Sequence, residues 1–128
     1  MLHIPGLYIA NDDKKGRMVC TAHAVSPGEV IEVCPLIILP ASETSTIHQT
    51  KIHDYYFIWP DESGRTCIAL GYGSLYNHSS RPNADVTFDL TDHTMIISCI
   101  KPIAAGEEIS IDYQGGIKGA PELWFELQ

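Results

Sequence analysis

Cationic residues are scarce in this chain: 8 Lys and Arg stand against 16 Asp and Glu, a net charge of −8 at pH 7 over 128 residues. A surface of that sign repels phosphate backbones at long range, which argues against nucleic acid as a direct ligand and favours basic partners. Long apolar runs are missing too. The longest, Val30 to Ala41, is broken by Glu32, Pro35 and Pro40 and is too short to span a bilayer. The start, Met1-Leu2-His3-Ile4-Pro5-Gly6, lacks the basic residues and long apolar core of a signal peptide. No C-x-x-C pair occurs among Cys20, Cys34, Cys67 and Cys99, so neither a zinc knuckle nor a dithiol redox pair is encoded, and no metal site is expected. The expectation is four buried free thiols in a reducing compartment. No G-x-S-x-G elbow supports a hydrolase triad. Nor does any segment hold helical periodicity for three turns. These absences leave a soluble, intracellular chain, cytoplasmic or nuclear, folded as one domain over residues 1–128.

What is present is short-period alternation punctuated by 10 glycines and 8 prolines, in a chain that is 45% hydrophobic and can bury a core. Arg17 to Ala24 reads as a strand, followed by a Ser26-Pro27-Gly28-Glu29 turn. Val30 to Leu39 is β-branched and apolar, one buried strand or two short ones. Thr44 to Asp54 is polar, a short helix or a loop. Tyr55 to Trp59 and Arg65 to Leu70 read as strands around a Pro60-Asp61-Glu62-Ser63-Gly64 turn. Val86, Phe88 and Leu90 alternate with Asp85, Thr87 and Asp89, and Met95 to Ile100 returns as the partner strand across Thr91 to Thr94. Ile103 to Glu107 echoes Val25 to Glu29 as shared turn chemistry and leads into a short strand, Glu108 to Tyr113. The architecture is mainly β, with few short helices.

Residues 71–83, Gly-Tyr-Gly-Ser-Leu-Tyr-Asn-His-Ser-Ser-Arg-Pro-Asn, stand apart. Polar groups at that density are either solvated in an exposed loop or bonded to a ligand or to backbone. Asn77 and Asn83 suit the second role. Glu108 and Asp112 permit an acid/base pair on paper, but four residues apart on a strand they read as solvated carboxylates. His3, His23, His48, His53 and His93 show no ligand spacing and read as surface imidazoles.

Two motifs in register resemble a known family. Asn77-His78-Ser79-x-x-Pro82-Asn83, followed by Gly106-Glu107-Glu108-Ile109-x-Ile111-Asp112-Tyr113, is similar to the paired signature of SET-domain protein lysine methyltransferases. Lys15-Gly16-Arg17 and Val25-x-x-Gly28-Glu29-Val30-Ile31 fit the first half of that pattern. Asp54-Tyr55-Tyr56-Phe57 and Ala69-Leu70-Gly71-Tyr72-Gly73 resemble the minimal, single-domain viral type. The resemblance covers about residues 6–113, with 114–128 as a C-terminal segment closing the site.

The resemblance implies small curved β-sheets with a C-terminal pseudoknot, and transfer of a methyl group from S-adenosyl-L-methionine to a lysine of a basic, histone-like protein. It assigns Tyr113 as the catalytic tyrosine and Tyr55 to the lysine channel, with Tyr72 and Tyr76 as further substrate contacts. Cofactor contacts fall on Gly16, Arg17, Met18, Asn77 and His78, with Trp124 and Phe125 capping the channel or stacking on the adenine. Three departures stand out. Met18 replaces the second glycine of the family's Gly-x-Gly motif, placing a bulky side chain where backbone should approach the cofactor. Gln114-Gly115-Gly116-Ile117 occupies the place of a second channel tyrosine. No zinc-binding cysteine cluster follows the core. The first two departures support an alternative, a weakly active or inactive SET fold serving as a protein-interaction module. Trp124 and Phe125 would equally serve a homodimer.

Overall fold

The structure is a computed structural model that describes residues 2–112. Among them, nine strands carry the fold: β1 (Leu7–Asp12), β2 (Gly16–Thr21), β3 (Val30–Leu39), β4 (Tyr56–Ile58), β5 (Thr66–Ala69), β6 (Asn77–His78), β7 (Ala84–Asp89), β8 (Thr94–Cys99) and β9 (Ser110–Ile111). The helical pieces are one short helix, α1 (Thr44–His48), and single 3-10 turns at Ala41–Glu43, Lys51–Asp54 and Gly73–Leu75. None is long and apolar enough to cross a membrane.

The organising strand is β3. Its first half pairs antiparallel with β8, from Val30↔Ser98 to Pro35↔Thr94, with a bulge between Val30 and Glu32. Its second half pairs antiparallel with β5, from Leu36↔Ala69 to Leu39↔Thr66. The change of partner falls at Pro35, which has no N–H to give a ladder, while its carbonyl accepts from Leu70 N–H at 2.9 Å. With β4 on β5 and β7 on β8, the order is β4-β5-β3-β8-β7. The apolar run that left one strand or two open is thus one strand serving two partners.

Beside this sheet lie the β1–β2 hairpin and the parallel pair β6–β9. Ile31, Cys34, Met95, Ile97, Ile109 and Ile111 are fully withdrawn from solvent. Each such side chain contributes about 1.5–3 kcal/mol, which is what holds strands as short as two residues that would not form alone. All four cysteines are free and buried.

The β7–β8 hairpin follows the alternation, with Ala84, Val86, Met95, Ile97 and Cys99 inward. The two look-alike turns meet: Val25 and Ile103 exchange backbone hydrogen bonds of 2.9 and 3.0 Å. Glu29 and Glu107 each turn a carboxylate back onto the first N–H of their own turn, at Ser26 (3.0 Å) and Ala104 (2.7 Å). β1 carried no clear sequence signal. It forms because Asp12 Oδ1 accepts from the N–H groups of Lys14 (2.7 Å) and Lys15 (3.1 Å), closing a tight turn onto β2.

Candidate active site

The polar segment between β5 and β7 is built around a buried carboxylate. Glu32, the one charged residue of the β3 run, is 2% exposed. Its Oε1 accepts from Tyr76 Oη at 2.7 Å and its Oε2 from Tyr72 N–H at 3.0 Å. Gly71, at φ +67°, passes so close that a Cβ there would run into Glu32 Oε2. Burial, reinforced by the adjacent carboxylate, pushes both the Tyr76 hydroxyl and the Cys34 thiol well above their ordinary values.

Two of the tyrosines expected at the substrate lie as follows. Tyr76 is in the core, 1% exposed, with its hydroxyl donating to Glu32. Tyr72 turns toward the N-terminal strand, donating to Leu7 O at 3.3 Å with His3 edge-on to its ring at 5.7 Å. Both tyrosines hold the segment that leads into Asn77-His78. The physical reason is Glu32, a carboxylate that burial leaves in need of donors.

Asn77 and His78 form β6, paired in parallel with Ser110 and Ile111, and Ser79 N–H donates to Ile111 O at 2.8 Å. Asn83 fastens the same two segments: its Nδ2 donates to Glu108 O (2.8 Å) and its Oδ1 accepts from Ser110 N–H (2.9 Å). Asn77 Nδ2 donates to Arg17 O (2.8 Å) and to Glu108 Oε2 (2.7 Å). Three stretches remote in sequence, around residues 15–17, 77–83 and 108–112, therefore meet at one amide. Asp112 Oδ1 lies 3.8 Å from His78 Nδ1.

A cavity of about 380 Å³ opens here, lined by Lys15, Asn77, His78, Ser79, Glu108 and Ser110. Lys15 Nζ donates to Glu108 Oε1 at 2.9 Å. That bond raises the Lys15 pKa. Glu108 was expected to be solvated; its side chain is only 13% exposed and bonded on both oxygens. Sequence reasoning also missed Lys15, because nothing local says that a turn lysine faces a cavity. Glu32 did carry a signal, as a lone charge inside an apolar run.

Arg17 links this cavity to Tyr55. Its guanidinium donates to Tyr55 Oη at 3.1 Å and lies 5.7 Å from the centre of that ring. Met18 occupies an ordinary extended position opposite Ala10, and the left-handed residue of the hairpin is Gly16 at φ +76°. The strand therefore imposes no glycine requirement at Met18. The expected roles of Tyr113, Trp124 and Phe125 lie outside the described residues.

The lining fits the amino-acid end of S-adenosylmethionine. Lys15 and Glu108 provide one charge of each sign, and with both amide hydrogens of Asn77 engaged, the group Asn77 can present is its acceptor Oδ1.

Comparison with known proteins agrees with the geometry. The SET domain family profile matches residues 16–114. A histone-lysine N-methyltransferase of Schizosaccharomyces pombe (strain 972 / ATCC 24843), specific for lysine 37 of H3, is 28% identical over 121 residues, 94% of this chain and 77% of that protein. A crystal structure from Plasmodium falciparum, assigned as a histone methyltransferase, superposes with a TM-score of 0.68 at 29% identity, covering 84% of this chain and 92% of that one. With two motifs in register, a parallel β6–β9 pair beside a charged cavity, and a profile match across most of its length, the chain belongs to the SET-domain family of protein lysine methyltransferases.

Proposed function

We propose that the protein transfers a methyl group from S-adenosylmethionine to the side-chain amine of a lysine in a basic, histone-like protein, inside the cell and in the nucleus where chromatin is the substrate. The observation that carries this reading is the cavity beside Asn77, with its paired charges and its acceptor oxygen, linked through Arg17 to Tyr55. S-adenosylmethionine bound there supplies a sulfonium methyl for in-line transfer to a neutral amine. Backbone of Gly16, Arg17, Met18 and His78 completes the cofactor contacts, with Trp124 and Phe125 assigned to the same site.

Tyr55 supplies the aromatic wall of the lysine channel. A substrate lysine has a reference pKa of about 10.4 and must lose its proton to react. The Arg17 guanidinium at Tyr55 disfavours a second cation there and so favours the neutral amine. Tyr113, which follows Asp112, is the catalytic tyrosine whose hydroxyl orients the amine. The net charge of −8 attracts a basic tail at long range.

The test is calorimetric titration with S-adenosylmethionine and its demethylated product, followed by labelled-methyl transfer to core histones with the modified residue mapped by mass spectrometry. One-to-one binding in the ~micromolar range, a mid-range affinity, and label on lysine are expected. Folded protein that takes up no cofactor at millimolar concentration would overturn the reading in favour of an interaction module.

A further inference from the structure

A second cavity of about 380 Å³ lies away from Asn77, lined by Leu36, Ile38, Leu39, Pro40, Arg65 and His93. It exists because β3 outlasts one of its partners. β8 accompanies β3 only as far as the Pro35↔Thr94 pair, whereas β5 runs beside it to Leu39. The β8 ladder stops where His93, at φ +55°, turns the chain, its ring edge-on to the buried Trp59 at 5.5 Å. Beyond Pro35, that side of β3 is an open edge among the described residues. Ladder alternation says which groups face it. Pro35 O accepts from Leu70 N–H, so Pro35, Ile37 and Leu39 bond toward β5, and Ile38 turns its N–H and C=O to the open side. Pro40, with no N–H, ends the edge.

An open strand edge beside an aliphatic pocket is the setting for strand addition: backbone bonds hold the guest, and the pocket selects alternate side chains. Charge selects the guest further. The turns at residues 60–64 and 90–93, which bring Arg65 and His93 to the cavity, carry Asp61, Glu62 and Asp92, with Asp89 at the end of β7. Arg65 is already held by Asp61 Oδ2 at 2.5 Å and Ser63 Oγ at 3.0 Å. An acidic segment would meet these carboxylates with little to offset them, while a basic one is complementary. We propose that an extended segment of the basic substrate protein, separate from the lysine that is methylated, adds as a strand to β3 along Leu36–Leu39. An aliphatic side chain fills the cavity, and flanking lysines or arginines face the two turns. This rests on the reading of the substrate as a basic protein and gives that protein a second contact. Tyr55 precedes β4, two strands away in the order β4-β5-β3, roughly 10 Å at the usual strand spacing. An extended tail crosses that distance within a few residues.

The test starts from fluorescence anisotropy of a short labelled peptide of alternating lysine and valine, with a glutamate–valine peptide as control, on the full chain without cofactor. The basic peptide should bind about tenfold more tightly than the control. Combining Glu62→Lys with Asp92→Lys, exposed turn changes whose folding is checked by thermal melts, should weaken it about fivefold. Amide hydrogen exchange at Ile38 should slow about tenfold when the basic peptide is added, the mark of a strand on this edge. In methyl transfer to core histones, the double variant should raise KM about fivefold with kcat unchanged. Equal binding of the two peptides, unaltered exchange at Ile38, or an unaltered KM in the double variant overturns the docking site. A folded wild type that labels no histone overturns the methyltransferase reading instead, and the peptide and exchange measurements still decide the edge.

Discussion

Tyr76→Phe is the sharpest probe of how the Asn77-His78 segment is held. The substitution keeps the ring in the core and removes one of the donors to the Glu32 carboxylate, which is 2% exposed. A hydrogen bond to a charged group contributes about 1.5–3 kcal/mol, and breaking a fully buried charge pair costs about 3–5 kcal/mol. Tyr72 N–H stays in place, so the expected loss is about 2–4 kcal/mol. In a chain of this size that lowers the melting midpoint by roughly 8–15 °C. Glu32→Gln removes the charge and keeps an oxygen for one donor, and should cost about half as much. If the two side chains act as a unit, the double variant will be about 1–2 kcal/mol less destabilised than the sum of the singles. Thermal melts and denaturant titrations followed by circular dichroism measure all four proteins. A Tyr76→Phe midpoint within about 2 °C of wild type, or strict additivity, would refute the buried carboxylate as the organiser of this segment.

Other outcomes follow from the same geometry. Gly71→Ala forces a Cβ onto Glu32 Oε2 at a positive φ and should cost about 2 kcal/mol or more, read from the same titration. Burial holds the Cys67 thiol up to about 12 against an ordinary 9.0, and pushes Cys34 higher still. Thiolate is then available only to the unfolded chain. Stability is therefore full below about pH 9 and falls as pH rises through 12, by about 1.4 kcal/mol per unit for each thiol. Melts between about pH 8 and 11 should show that slope, and Cys67→Ala should remove one thiol's share of it. Tyr113→Phe should cut turnover about a hundredfold or more with the melting midpoint retained, the scale of one transition-state hydrogen bond; full activity would remove Tyr113 from its role.

Much was legible in the residues. The alternation of Val86 and Phe88 against Asp85 and Thr87 fixes which face of β7 turns inward, because a strand's side-chain period is two; Leu90, just past the strand, is exposed. Pro27-Gly28 and Ala105-Gly106 mark their turns through local backbone preferences. The Asn77-His78-Ser79 and Gly106-Glu107-Glu108 motifs identify the family. Spacing alone could not say that the twin turns would bond to each other through Val25 and Ile103.

Tyr72, Tyr76, Glu32 and Glu108 show where reading the chain stops. A tyrosine beside a motif looks the same whether it faces a substrate or the core, and a carboxylate looks the same solvated or buried. Their fates depend on which distant segment comes alongside, and β6 meets β9 across some thirty residues with only two residues on each side. The sequence by itself determined most of the strands (β1 and β6 excepted), the turns and the family, because those rest on neighbours a few residues away. Only the tertiary structure decided that Glu32 would anchor two tyrosines and that Lys15 and Glu108 would face one cavity. Burial and electrostatic pairing are properties of the assembled contacts, and no local stretch of chain contains them.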